Sequence, residues 1–137
     1  MDEDFNKLLV VAKDAIGNYQ ISRMMKFGRV ASALITNTGR IYIGVCIETK
    51  CSLGMCAEKN AICNMIANGD TVIKKICTIN DEGQVMPPCG ACREFMIQMG
   101  PKAKEIQVLI TNDGQIATLD ELMPHYPYIW EVYRWWN

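Results

Sequence analysis

The stretch from Cys56 to Met99 reads CAEKNAICNMIANGDTVIKKICTINDEGQVMPPCGACREFMIQM, and its changes of hydrophobic period decide the fold. Ala57, Ala61, Ile62, Met65 and Ile66 recur at helical spacing between Cys56 and Ala67, and Asn68-Gly69-Asp70 supplies a C-terminal stop. Val72 to Ile79 follows as a mostly apolar strand. Asn80 to Gly83 turns the chain, and Pro87-Pro88 disfavours regular structure until a helix starts at or near Cys89. Cys92, Phe95, Met96 and Met99 form the buried stripe of that helix. Helices that alternate with strands imply parallel crossovers and a sheet covered on both faces, so the fold class is α/β.

Outward from this centre the same reading continues. Phe5, Leu8, Leu9, Ala12 and Ile16 mark an amphipathic first helix that ends near Gly17-Asn18. Val30 to Ile35 and Arg40 to Ile47 are β-branched and apolar around Thr36-Asn37-Thr38-Gly39, which is a hairpin pattern. After Gly100-Pro101, Glu105 to Thr111 and Gln115 to Thr118 read as two strands around an Asn-Asp-Gly turn, and Asp120 to Met123 as a helical turn. The tail carries Trp130, Trp135 and Trp136 with Tyr126, Tyr128 and Tyr133, a composition suited to an apolar plug in a subunit interface or to closing a neighbouring pocket.

With 137 residues, half of them hydrophobic, the chain is expected to form one domain spanning 1–137. A net charge of -1 leaves no basic stripe for many phosphates, which argues against a nucleic acid polymer as partner. The apolar runs are of strand length and Met-Asp-Glu-Asp lacks the charged and apolar regions of a signal peptide, so a cytoplasmic protein without membrane association is expected. Seven cysteines in that setting mean reduced thiols or a metal site. Cys46, Cys51, Cys63 and Cys77 are expected to pack as small hydrophobes.

The other three cysteines carry chemistry. Cys56-Ala57-Glu58 opens one helix and Pro88-Cys89-Gly90-Ala91-Cys92-Arg93 opens another. Cys89 and Cys92 are three residues apart, so in a first helical turn both sulfurs face one ion, and Cys56 could supply a third ligand. Helix N-termini favour thiolates. Three protein ligands leave the fourth corner of a tetrahedral zinc for water, and zinc brings the pKa of such water from about 16 toward 7. Three sulfurs against a divalent ion leave an excess negative charge, for which the helix N-termini and Arg93 or Lys59 are candidate compensators. Glu58, projecting from another side of its helix than Cys56, is placed to take the proton of the water and pass it to a ring nitrogen and a leaving amine. Two other readings use the same residues: a closed structural site with His125 as fourth ligand, which would make the chain a non-catalytic zinc-stabilised binding protein, and a cysteine nucleophile paired with His125.

The two motifs together resemble the cytidine deaminase family of the small homotetrameric zinc type, including its blasticidin-S deaminase branch. Val30-Ala31-Ser32-Ala33-Leu34 and Gly39 to Val45 are similar to that family's first hairpin, and Leu122-Met123-Pro124 to its closing element. The resemblance implies a three-layer α/β/α fold with a five-stranded mixed sheet, Zn2+ on Cys56, Cys89 and Cys92, and Glu58 as proton shuttle. It further implies a cytosine nucleoside or another aminoheterocycle such as blasticidin S as substrate, a role in pyrimidine salvage, and a homotetramer with shared active sites. Substrate contacts fall on Phe27, as the aromatic packed on the base, and on Cys46, Glu48 and Ala57. Cys46-Ile47-Glu48 stands where nucleoside-specific members carry Asn-x-Glu, so Glu48 fits the pattern and Cys46 departs from it.

Overall fold

The computed structural model describes residues 1–128; Trp130, Tyr133, Trp135 and Trp136 of the expected aromatic plug lie outside the described residues. Helix α1 (Glu3–Ala15) starts where the Asp2 carboxylate accepts the Phe5 amide at 2.9 Å. Strands β1 (Tyr19–Ser22), β2 (Met25–Thr36) and β3 (Ile41–Glu48) follow, then α2 (Ala57–Ala67), β4 (Ile73–Asn80) and α3 (Gly90–Ile97). A 3₁₀ turn at Pro101–Glu105, β5 (Gln107–Leu109), β6 (Ile116–Thr118) and α4 (Leu119–Leu122) complete the described chain.

The long strand β2 organises the sheet. One edge pairs antiparallel with β3, and the other is shared by β1 at its start and by β4 from Val30 to Thr36. Strand β4 then pairs parallel with β5, and β5 antiparallel with β6. The α/β class is as expected, whereas the sheet has six strands in place of five. The additional one is β1, which is exposed along its whole length and exists because β2 extends upstream of Val30 to offer it an edge.

Both β3 and β4 run antiparallel to β2 and hence parallel to each other, so α2 and α3 are successive crossovers in one direction across the sheet. Crossovers of one hand moving in one direction fall on one face and begin at one end of the sheet. Packing agrees. Alternate residues Ala31, Ala33, Ile35, Cys77 and Ile79 meet Phe5, Leu8 and Ala12 of α1. Leu34, Ile76 and Val108 meet Ala61, Ile62 and Met65 of α2 with Met96 and Ile97 of α3 on the opposite face. The three-layer arrangement therefore sets the starts of α2 and α3 side by side.

Contact between α2 and β3 is backbone to backbone. A Cβ at Gly44 would lie 2.1 Å from the Ala61 nitrogen and 2.5 Å from the Ala57 carbonyl oxygen, so glycine alone permits this approach. Asn60 Nδ2 donates to the Val45 carbonyl at 3.0 Å and fixes the helix lengthwise. The first turn of α2 is thereby seated on the sheet.

Candidate active site

Cys56 is the N-cap of α2 and Cys89 the N-cap of α3, and neither side chain caps its own helix. Their sulfurs are left to face each other, 3.7 Å apart. With Cys92 in the first turn of α3, all three sulfurs lie within 4.8 Å of one another. Cys56 and Cys89 are exposed, and Cys92 is buried at 2 % exposure. His125 is exposed in a left-handed turn and outside this group, so the described residues give no support to a fourth ligand from it.

The three thiols perturb one another. Burial and the Cys89 thiol push the Cys56 thiol above its ordinary value. Burial first, then the charges of Glu58, Cys56 and Cys89, push Cys92 well up. Cys89 is held below its ordinary value: burial opposes this, and the Cys92 and Ala91 amides with the neighbouring thiols outweigh it. Of the three thiols Cys89 gives up its proton most readily, and a divalent ion held among them would favour ionisation of all three. Three sulfurs converging at two helix N-termini fit zinc in donor type and in charge.

Glu58 is 5 % exposed, and burial raises its carboxyl above the usual carboxylate range. A desolvated carboxyl with a raised pKa next to a metal-competent cluster is a better proton donor-acceptor than an exposed glutamate would be. Ala57 is buried and forms the seat against Gly44.

Cys46 and Glu48 share an open hollow of about 430 Å³ with Cys56, walled by Ile47, Thr49, Ser52, Gly54 and Met55. The connection is direct: Ile47 and Met55 exchange two backbone hydrogen bonds of 2.9 Å, folding residues 48–54 into a loop that ends at the N-cap cysteine. The hollow's loop wall was missed in the sequence, although Cys51-Ser52-Leu53-Gly54 has turn composition and Cys51 and Ser52 adopt positive φ. The sulfur of Cys46 accepts the Val30 amide at 3.3 Å, across the β2 irregularity between Phe27 and Ala31 where Gly28 has φ 100°. Phe27 stacks on Tyr19, with centroids 5.0 Å apart, and is not among the residues lining the hollow.

The candidate charge compensators point elsewhere in their resolved contacts. Arg93 Nε donates to the Pro88 carbonyl at 2.8 Å, bracing the backbone ahead of Cys89, and the Lys59 ammonium lies over the Phe95 ring at 5.0 Å. Against burial, the Cys92 and Ala91 amides in the first turn of α3 lower the Cys89 thiol. Among the remaining cysteines Cys77 is buried and Cys46 half-buried, whereas Cys51 and Cys63 are exposed, which corrects the expectation that all four pack inside. Cys63 sits on the outer side of α2, and Cys51 at the tip of the β3–α2 loop.

Residues 6–110 match the family model for the cytidine and deoxycytidylate deaminase zinc-binding region. A cytidine deaminase of Halalkalibacterium halodurans is 31 % identical over 99 residues, covering 70 % of this chain and 74 % of that protein. A probable cytidine deaminase of Dictyostelium discoideum is 35 % identical over 74 residues, 53 % of this chain and 50 % of its own length. The crystal structure of the cytidine deaminase from Mycobacterium tuberculosis superimposes with a TM-score of 0.76 at 26 % identity, over 93 % of this chain and all of that one. Parallel crossovers that bring three cysteine sulfurs together, a buried glutamate beside them and this match over most of the chain lead to one assignment: the chain belongs to the cytidine and deoxycytidylate deaminase family of hydrolytic deaminases.

Proposed function

We propose that this chain, read as one domain, is a zinc-dependent deaminase converting a cytosine nucleoside, cytidine or deoxycytidine or a close analogue, to the uracil form with release of ammonia. The observation that carries this reading is the convergence of Cys56, Cys89 and Cys92 within 4.8 Å beside the buried Glu58. Cys56, Cys89 and Cys92 would hold the ion, which when bound supplies Lewis acidity that makes water nucleophilic near neutral pH. Glu58 Oε takes the proton of the water as its oxygen bonds to the amine-bearing ring carbon. The carboxyl then delivers that proton to the ring nitrogen, takes the second water proton and gives it to the departing amine. One C–N bond breaks, one C–O bond forms, and ammonia carries the amine away. Burial of Glu58 supports both directions of transfer by narrowing the difference between its carboxyl and the groups it serves.

Cytidine consumption by zinc-loaded protein, followed by its loss of amine-form absorbance near neutral pH, tests the reading. Glu58→Ala is expected to retain zinc and abolish turnover. A panel of aminopyrimidine nucleosides and blasticidin S on which the zinc-loaded protein shows no activity contradicts it.

A second reading, an aminoheterocycle other than cytidine, blasticidin S included, rests on Cys46. Its sulfur already accepts the Val30 amide and offers little to a ribose hydroxyl, leaving Glu48 as the charged residue among those lining the hollow. The same panel separates the two. Exposed Ile21, Met24 and Leu53 are in keeping with association of subunits, here assigned as a homotetramer with shared sites. Phe27, paired in the sheet with Ile47 of the hollow's wall, would pack on the base. The setting assigned to the enzyme is cytoplasmic pyrimidine salvage, in keeping with free thiols and with the finding that no helix among the described residues is long and apolar enough to cross a membrane.

A further inference from the structure

Between the end of β4 and the start of α3 the chain makes an irregular excursion over residues 81–89, and that excursion delivers Cys89 and Cys92 to the cluster. Pro87 and Pro88 have no amide hydrogen to donate, so the last residues before Cys89 cannot anchor themselves by their own N–H groups. The excursion is anchored from outside. Met86 N donates to the Thr78 carbonyl at 2.9 Å, and Val85 bridges Ile79. The third anchor comes from another part of the sequence: Asn112 Oδ1 accepts the Val85 amide at 2.9 Å, and Asn112 Nδ2 donates to the Gly83 carbonyl at 2.8 Å.

Topology explains why residue 112 reaches residues 83 and 85. Strands β4 and β5 are parallel neighbours, so the segments that leave their C-terminal ends lie side by side. The turn that carries Asn112 is itself braced. Thr111 Oγ1 donates to the Asp113 carboxylate and accepts the Gln115 amide, Gly114 N donates to the Thr111 carbonyl at 3.2 Å, and Gly114 takes φ 101°. An amide side chain that donates and accepts at once, on a braced turn, holds two backbone groups of the excursion in fixed register.

We infer that Asn112 is a positioning residue for the metal ligands, acting through the 83–85 backbone to set where Cys89 and Cys92 stand relative to Cys56. This inference rests on the zinc reading above. Asn112 is exposed and belongs to neither hydrophobic cluster; of the residues it holds, Val85 packs against the rim of the cluster under α1. Loss of Asn112 removes one tether of the ligand loop, the pair of bonds at Gly83 and Val85, while Met86 on Thr78 and Arg93 on Pro88 remain.

The test compares wild type, Asn112→Ala and Tyr42→Phe in zinc affinity, by competition with a chromogenic chelator, and in amide hydrogen exchange. Tyr42→Phe deletes the 2.6 Å bond to Asp70 and serves as a stability control outside the cluster. The expected result is roughly three- to tenfold weaker zinc binding for Asn112→Ala, smaller than the roughly 10- to 100-fold lost with groups that touch metal ligands because Asn112 acts through the backbone, with faster exchange at Val85 and Met86. Tyr42→Phe is expected to melt lower and bind zinc as wild type does. Asn112→Asp keeps the acceptor and loses the donor, and is expected between wild type and alanine. Wild-type zinc uptake with unchanged affinity in Asn112→Ala would overturn the inference alone, as would an equal loss in Tyr42→Phe. A wild-type chain that takes up no zinc would overturn the metal reading and this inference with it.

Discussion

Gly44→Ala puts the seating of α2 under direct strain. The added methyl carbon would meet the Ala61 nitrogen at 2.1 Å, the Ala57 carbonyl oxygen at 2.5 Å and the Asn60 carbonyl carbon at 2.7 Å. All three are backbone atoms of α2, so no side chain can turn aside. Ordinary contact begins at 3.4 Å, and the helix has to lift by about the 1.3 Å difference. Overpacking of a well-filled interface costs about 1–3 kcal/mol, and stretching the Asn60 bond to Val45 adds about 1 kcal/mol. A total near 3 kcal/mol corresponds to a fall in melting temperature of about 10 °C for a chain of this size. The same lift carries Cys56 away from Cys89, now 3.7 Å from it, whereas zinc–sulfur geometry tolerates about 0.2 Å. Zinc affinity should therefore drop by more than about tenfold, alongside the fall in melting temperature. Calorimetry of the metal-free protein and chelator competition read the two effects separately. A Gly44→Ala protein that melts within about 2 °C of wild type and binds zinc equally well would refute this account of how α2 is seated.

Glu58→Gln should lower turnover by about 10²-fold or more while making the metal-free protein more stable at pH 7. The sign follows from the raised carboxyl: its folded-state pKa lies above the unfolded one, so its stabilising contribution is complete at low pH and is lost as pH rises through the folded value. A neutral isostere escapes that loss, and a melting curve for Glu58→Gln at or below wild type would contradict it. Lys75 lies between Asp2 and Asp4, at 3.1 and 2.9 Å, and both carboxyls are held below their usual range. Their contribution is present above the unfolded carboxylate pKa and is lost as pH falls through the depressed values, so wild type should lose melting temperature on acidification more steeply than Lys75→Met. Burial pushes the Cys77 thiol up to about 12, so alkylation of the native protein at pH 8 should spare Cys77 and label exposed Cys51 and Cys63 within minutes; peptide mapping by mass spectrometry decides it.

Much of the fold was legible because its signals are local. The helical stripes of α1, α2 and α3, and the hairpin around Thr36 to Gly39, each follow from the spacing of nearby apolar residues. Strand β1 was not legible, since the alternation of Tyr19 to Ser22 is confined to four exposed residues and its pairing depends on the upstream extension of β2. Strand β5 proved shorter than Glu105 to Thr111, because Glu105 belongs to the 3₁₀ turn opened by Pro101 and Ile110 already bonds across the turn to Gln115. The three cysteines with Glu58 could be read because each sits at a helix start that the sequence itself announces. Pairings between distant segments could not: the Cys46 sulfur on the Val30 amide, the Lys59 ammonium on Phe95 and the Asn112 amide on residues 83 and 85 depend on register and topology. The contacts of Arg93 with the Pro88 carbonyl and of Lys59 with the Phe95 ring likewise could not be read from adjacency to the motifs.

X-ray absorption at the zinc edge of the loaded protein reads the ligand set itself. Three sulfur neighbours at about 2.3 Å and one lighter oxygen neighbour at about 2.0 Å are expected, with one sulfur lost in each of Cys56→Ser, Cys89→Ser and Cys92→Ser. Four protein ligands with no solvent-derived oxygen, or a zinc shell that keeps all its sulfurs when Cys56 is replaced, would contradict an open site on these three cysteines.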